Sequence, residues 1–99
     1  MSETLAPPEE RLDRGEDTGL GRPWLVIVLN DDHNTFQGVA AALSAVVPGV
    51  SYDAGMRLAS RIHNSGQAIV WSGLREQAEL YWEQLQGFGL TMAPLSQSG

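Results

Sequence analysis

Hydrogen-bond acceptors crowd the point where the first apolar segment of this chain ends. Residues 24–29 are all apolar, and Asn30, Asp31 and Asp32 follow them directly. His63 lies later, beside an apolar strip of a predicted helix. Binding an ammonium group takes about three converging acceptors, at least one of them anionic. We therefore interpret Asn30, Asp32 and His63 as an amine socket, a site for a small cation such as the free α-ammonium group of a peptide.

Apolar side chains are predicted next to this amine socket. Phe36 and Val39 share one face of the helix that follows the acceptors, and Ala59 and Ile62 precede the histidine on the next helix. These side chains could wall an apolar hole beside the cation site. A socket of this kind has the geometry needed to recognise the first residue of a polypeptide, which carries a charge and one side chain.

Other interpretations of these residues stay open. An Asn-Asp-Asp sequence after a strand is often a turn whose side chains cap the local backbone, and a lone helical His is often structural. Carboxylate and imidazole groups also suit zinc or iron in an enzyme, and the candidates are Asp31, Asp32, His33 and His63. The chain has no dense His-x-x-x-His pair, and Ser65 lacks the signature of a nucleophile.

Composition restricts the function classes. The 99 residues suit one small domain, and the formal net charge of −6, with arginine and no lysine, argues against a nucleic-acid binder. The chain has no cysteine and no apolar run near the roughly 20 residues that span a bilayer. We see no secretion signal. We expect a cytoplasmic protein without membrane contact, cofactor or metal.

Local signals predict three helices. The first begins at Asn34 or Thr35, with Gln37 completing a capping box after Asn34, and runs to about residue 47. Ser51 caps the second, residues 52–64, and Gly66 ends it in the left-handed conformation. The third covers residues 74–86. Its buried stripe is predicted to comprise Leu74, Ala78, Tyr81 and Leu85.

Three strands complete the predicted order β-α-α-β-α-β. They cover residues 24–29, 67–71 and 88–93, with a turn at Ser72-Gly73. The first strand is apolar on both faces and is predicted to be central. We expect an α+β fold with three helices on a three-stranded, mostly antiparallel sheet. Residues 1–23 are predicted to form a disordered arm, 24–95 the domain, and 96–99 a flexible end.

The chain resembles a known family from Trp24 to Leu95. Three motifs carry the likeness: V-I-V-L-N-D-D, then I-H-N-S-G-Q-A-I-V, then R-E-Q-A-E. They resemble the ClpS family of adaptors, which select N-degron substrates for the Clp ATPase–peptidase machine. The resemblance implies a small α/β fold with three strands and three helices, and no catalytic activity.

The resemblance also implies roles for individual residues. The α-amino group of the substrate would be held by Asn30, Asp32 and His63. Acidic residues of the third helix, Glu76 and Glu79, would contact the N-terminal domain of a ClpA- or ClpC-type ATPase, and the N-terminal arm would take part in delivery. The pocket for the first side chain would comprise Asp31, Asn34, Phe36, Val39, Ala59, Ile62 and Thr91.

Several positions depart from the family pattern. A gatekeeping Met becomes Phe36, a Met on the second helix becomes Ala59, and a Lys on the third helix becomes Tyr81. The first two changes should reshape the hole for the first residue, which we expect to be Phe, Leu, Tyr or Trp.

The alternative function is a regulator or inhibitor that docks on the Clp ATPase without reading N-termini. A ribosomal-stalk-like module would fit the fold, but the acceptors argue against it.

Overall fold

The computed structural model describes residues 21–99, so most of the arm predicted over residues 1–23 lies outside the described part. Three helices pack with a three-stranded antiparallel sheet, which confirms the predicted α+β class and element order. The elements are β1 (Trp24–Leu29), α1 (Phe36–Val46), α2 (Tyr52–Ser65), β2 (Gln67–Gly73), α3 (Arg75–Gly87) and β3 (Ser96–Gln97). No helix among residues 21–99 is long and apolar enough to cross a membrane.

β1 is the central strand, as its apolar character on both faces predicts. It pairs antiparallel with β2 on one side and with β3 on the other. Val26 and Val28 belong to the hydrophobic core with side chains of all three helices, and both are almost fully buried. A register shift in the β1–β2 ladder falls between Val26 and Ile27. β1 therefore contributes side chains to the hydrophobic core and ends directly before the acceptor residues.

Side-chain caps define where α1 and α2 begin. Thr35 Oγ1 accepts a hydrogen bond from the Gly38 backbone N–H at 2.9 Å, so Thr35 is the N-cap of α1. The capping box predicted from Asn34 is wrong, because the Asn34 side chain is used in the turn before the helix. Ser51 caps α2 and Gly66 ends it with φ of 89°, both as predicted.

α1 and α2 approach closely because small residues meet between them. A Cβ atom added to Gly55 would lie 2.8 Å from the carbonyl oxygen of Ala40 and 2.9 Å from its Cα atom. Such distances are shorter than real Cβ contacts, so only glycine fits here without a backbone shift. The close contact sets the distance between the middle of α1 and the first turn of α2.

The boundary between β2 and α3 lies two residues later than the sequence predicts. β2 continues through Ser72 and Gly73, which were predicted to form a turn but pair with β1. Leu74 therefore becomes the N-cap residue of α3, and its side chain is 70% exposed rather than part of the buried stripe. Ala78 and Leu85 are fully buried as predicted. Tyr81 is only half-buried.

The last strand also differs from its prediction. Residues 88–93 form one isolated bridge, Met92 to Val28, rather than a strand. Pro94 follows and has no backbone N–H to continue the ladder. β3 forms instead within residues 96–99, for which the sequence predicted a flexible end, and it pairs with the first residues of β1. The predicted strand over residues 88–93 is therefore wrong, although this segment still lies along β1.

Candidate functional site

Asp31 organises the turn that follows β1. Its carboxylate accepts hydrogen bonds from the backbone N–H groups of His33 (3.1 Å) and Asn34 (2.8 Å). It also accepts from the Asn34 side-chain amide (2.7 Å) and the Thr91 hydroxyl (2.8 Å). The same amide donates to the Gly89 carbonyl at 3.0 Å. These bonds tie the end of β1 to the C-terminal segment, so Asp31 caps local backbone as one of the alternative interpretations proposed.

The surroundings of Asp31 keep its carboxylate ionised. Its side chain is only 12% exposed, and this burial raises the pKa. The hydrogen bonds from Asn34, Thr91 and His33 lower the pKa more, because they favour the charged form. The net pKa of Asp31 lies well below its ordinary value. The site therefore contains a carboxylate that is ionised at neutral pH and held in position by its hydrogen bonds.

A pocket opens beside this turn, between β1, α1, α2 and the C-terminal segment. It is open to solvent: about 360 Å³ of space lies within its outline, and part of that space is bulk solvent. Both polar and apolar side chains line it. The predicted site residues that line it are Asn30, Asp31, Asn34, Phe36, Val39, Ala59, Ile62, His63 and Thr91.

His63 lies at the pocket in the last turn of α2. Its ring contacts the Phe36 ring edge-on, with centroids 5.3 Å apart and an interplanar angle of 64°. Within residues 21–99 the imidazole forms no hydrogen bond or ion pair, so both ring nitrogens are open to a ligand. The Asn30 backbone N–H donates to the Gly66 carbonyl at 2.9 Å. That bond holds the end of β1 against the end of α2.

Asp32 is the predicted site residue that the structure leaves outside the pocket. Its side chain is fully exposed, and its carboxylate Oδ1 lies 3.8 Å from Nδ1 of the exposed His33 ring. The amine socket is therefore assembled only in part: Asn30 and His63 line the pocket, while the Asp32 carboxylate lies in solvent.

Three pocket residues were missed by the sequence analysis: Val28, Leu29 and Leu90. Leu90 is 4% exposed and reaches the pocket because its segment runs along β1. The position of the two β1 residues, just before the acceptors, was a signal that could have identified them. Leu90 gave no such signal, because its place depends on a pairing distant in sequence.

The structure gives the metal hypothesis no support. In the part of the chain that the structure describes, no three His, Asp or Glu side chains lie close enough to hold a metal ion. His33 is near both Asp31 and Asp32, at 3.7 and 3.8 Å, but its side chain is 66% exposed. His63 instead contacts Phe36.

The exposed surface of α3 has two acidic side chains near its start. Glu76 and Glu79 are both exposed. Arg75 Nε lies 3.0 Å from the Glu79 carboxylate, and the Arg75 guanidinium stacks 4.9 Å from the centre of the Trp24 ring. Glu76 has no ion pair within the described residues. The two glutamates thus present one free and one partly neutralised carboxylate.

Comparisons with known proteins agree on one family. The family model described as ATP-dependent Clp protease adaptor protein ClpS matches residues 21–93. An adapter protein ClpS from Thermosynechococcus vestitus is 60% identical over 72 residues, which cover 73% of this chain and 77% of the relative. A ClpS from a Nostoc species is 57% identical over 72 residues, with coverage of 73% and 74%.

A solved structure is similar to the whole described fold. It is Agrobacterium tumefaciens ClpS2 bound to L-phenylalaninamide, and the two chains share 26% of their residues. The match has a TM-score of 0.72 and covers 78% of this chain and 98% of the other.

Proposed function

Since this chain belongs to the ClpS family, as its motifs predicted, and is an adaptor of the Clp protease rather than an enzyme, we propose that it selects substrates by their first residue. The substrate presents a free α-amino group and a bulky apolar first side chain, Phe, Leu, Tyr or Trp. The adaptor then delivers this N-degron polypeptide to a ClpA- or ClpC-type ATPase. We place this activity in the cytoplasm.

The observation that carries this proposal is the composition of the pocket. Unpaired acceptors at Asn30 and His63 lie beside apolar walls formed by Val39, Ala59 and Ile62, which are 8%, 3% and 3% exposed. L-phenylalaninamide, the ligand of the similar Agrobacterium protein, combines a free α-ammonium group with a benzyl side chain. A pocket with one polar and one apolar part is complementary to that pair of groups.

Charge in and around the pocket suits a cation. The fixed carboxylate of Asp31 lines the pocket, and His63 lies at the C-terminal end of α2, where the helix dipole favours positive charge. Asp32 is free to turn toward a bound ammonium group because no contact holds its side chain against the fold. We assign the amine contacts to Asn30, Asp32 and His63. Asp31 and Asn34 hold the turn that positions them.

The expected affinity is micromolar. Burying a large apolar side chain contributes about 1.5–3 kcal/mol, and each charge-assisted hydrogen bond about 1.5–3 kcal/mol before ordering costs. A total near −8 kcal/mol corresponds to a dissociation constant of about 1 μM.

Fluorescence anisotropy tests the proposal directly. Labelled peptides that differ only in residue one would begin with Phe, Leu, Tyr, Trp, Val or Ala, with an N-acetylated Phe peptide as the control. We expect the bulky set to bind and acetylation to abolish binding, because it removes the charge and two of the three N–H donors. If no free-amine peptide binds, the alternative of an ATPase-docking regulator that ignores N-termini replaces this proposal.

The ATPase contact is proposed at Glu76 and Glu79 on α3. Both carboxylates are exposed on α3 and line no part of the pocket, so one adaptor could hold a substrate and the ATPase together. Pull-down of the ATPase N-terminal domain by Glu76→Ala should fall, with unchanged peptide binding. Asp53→Ala on α2 is the matched acidic control and should keep both interactions.

A further inference from the structure

We propose that Phe36 is a positioning residue for His63, and that its ring couples the amine-binding and side-chain-binding parts of the pocket. The inference rests on the proposed function, because it concerns how the same pocket reads an N-terminus. It gives Phe36 a second role besides lining the pocket. Phe36 would set the orientation of the imidazole that accepts from the substrate amine.

The contact between the rings is the first support. A centroid distance of 5.3 Å and an angle of 64° fall within the edge-to-face range of about 4.5–7 Å, in which aromatic pairs attract each other. A functional His is commonly oriented by a hydrogen bond from one of its nitrogens. The His63 ring forms no such hydrogen bond with residues 21–99. We therefore assign the orientation of this ring to its contact with Phe36.

The exposure of Phe36 is the second support. Its ring is 37% exposed although it is the first residue of a helix with a well-buried inner face. The Thr35 cap fixes the start of α1, and the contact of Gly55 with Ala40 fixes α1 against α2. The Phe36 ring lies against His63 in the last turn of α2. The same aromatic ring therefore contacts the imidazole and lines the pocket.

The consequence is that the two parts of the pocket do not act independently. Replacing the ring removes a wall for the substrate side chain and also frees the imidazole to rotate away from the amine. Phe36→Leu should therefore weaken binding of the Phe peptide about five- to tenfold, the loss expected for one aromatic pair plus part of its contact area. Phe36→Tyr keeps the ring and should bind nearly as well as the parent protein.

A double-mutant cycle with His63→Ala separates positioning from lining. Affinities for the Phe peptide would be measured for the parent, Phe36→Leu, His63→Ala and the double variant. We expect Phe36→Leu to cost less than about twofold once His63 is absent, because no imidazole remains to be positioned. Val39→Ala is the matched control: it trims a pocket wall that has no ring contact with His63, and its loss should be the same in both backgrounds.

NMR of the ligand-free protein gives the independent readout. The chemical shifts of the His63 ring protons should change in Phe36→Leu, because the ring current of Phe36 is lost, and should stay in place in Phe36→Tyr. Equal losses in both backgrounds of the cycle, or unshifted His63 protons, would overturn the positioning role while leaving N-terminus recognition intact. A parent protein that binds no free-amine peptide would overturn both proposals, and the ring-proton shifts would then report a purely structural contact.

Discussion

Asp31 and Asp32 are adjacent and chemically identical, but the structure uses them in opposite ways. The Asp31 side chain is 12% exposed and accepts four hydrogen bonds, whereas that of Asp32 is fully exposed and accepts none within residues 21–99. One carboxylate is committed to the fold and the other is available to a ligand. The comparison teaches that hydrogen bonds, and not residue type, decide which of two adjacent carboxylates holds the fold and which stays exposed.

The difference has a geometric origin. Asp31 lies where the turn after β1 brings three donor residues around one carboxylate, including Thr91 from the far end of the chain. Asp32 lies in the bend that follows and shares none of these donors. Asp32 therefore faces solvent, near His33. The order of the two residues decides their roles, because their chemistry is the same.

The largest effect is expected from Asp31→Ala on stability. The change removes one charged acceptor and leaves the donors of Asn34 and Thr91 without their partner. We expect the free energy of unfolding to fall by about 2–4 kcal/mol. Urea denaturation followed by circular dichroism measures it. Asp32→Ala is the matched control and should leave the unfolding midpoint unchanged; similar destabilisation by both variants would end the distinction between them.

Asp32→Ala is expected to weaken peptide binding although it should leave stability unchanged. This variant should keep the fold and weaken binding of the Phe peptide by about tenfold or more, because the ammonium group loses an anionic acceptor. His63→Ala should also weaken binding severely. Anisotropy with the folded variants checks both. Near-normal affinity in both proteins would contradict the amine socket, whatever Asp31 does to stability.

The pH dependence of unfolding sharpens the comparison without removing a side chain. The folded-state pKa of Asp31 lies below the ordinary value of 3.8, so its contribution to stability is complete above that value. The contribution should be lost as the pH falls from about 4 toward the lower folded-state pKa.

Urea denaturation at a series of acidic pH values would show this loss in the parent protein. Asp31→Asn should lack this component, because its amide cannot be ionised and presents an N–H to groups that already donate. Asp32→Asn should retain it. An identical pH profile for all three proteins would mean that Asp31 does not carry the shift.

These contrasts also mark how far the sequence could predict the site. The order of elements, the α1 and α2 caps other than the Asn34 capping box, and the pocket residues from α1 and α2 follow from local patterns. The choice between Asp31 and Asp32 does not, because it depends on Thr91, sixty positions away. Leu90 was not predicted to line the pocket, because its place also depends on a contact distant in sequence.

Errors at the end of β2 and in the last strand have a related cause. Gly73 was predicted to turn the chain, but pairing with Trp24 extends β2 through it, and Leu74 becomes an exposed cap. Ser96 and Gln97 have little intrinsic preference for a strand. They form β3 because the edge of β1 is free to pair with them. In each case a tertiary pairing overrode the local signal.

The smallest effect is expected from Ala59→Met, on the apolar wall of the pocket. Ala59 is 3% exposed and lines the pocket, so a longer side chain should fill space that the substrate side chain would use. We expect a loss of a few-fold for the Trp peptide, less for Phe, and little for Leu, corresponding to about 1 kcal/mol or less. Ala59→Val provides an intermediate volume and should give a smaller loss in the same order.

Because the amine contacts are unchanged, acetylation should abolish binding in these variants as in the parent. If the Trp preference is unchanged in Ala59→Met, then Ala59 does not limit the first residue, and the size of the accepted side chain is set on the side of Phe36 instead.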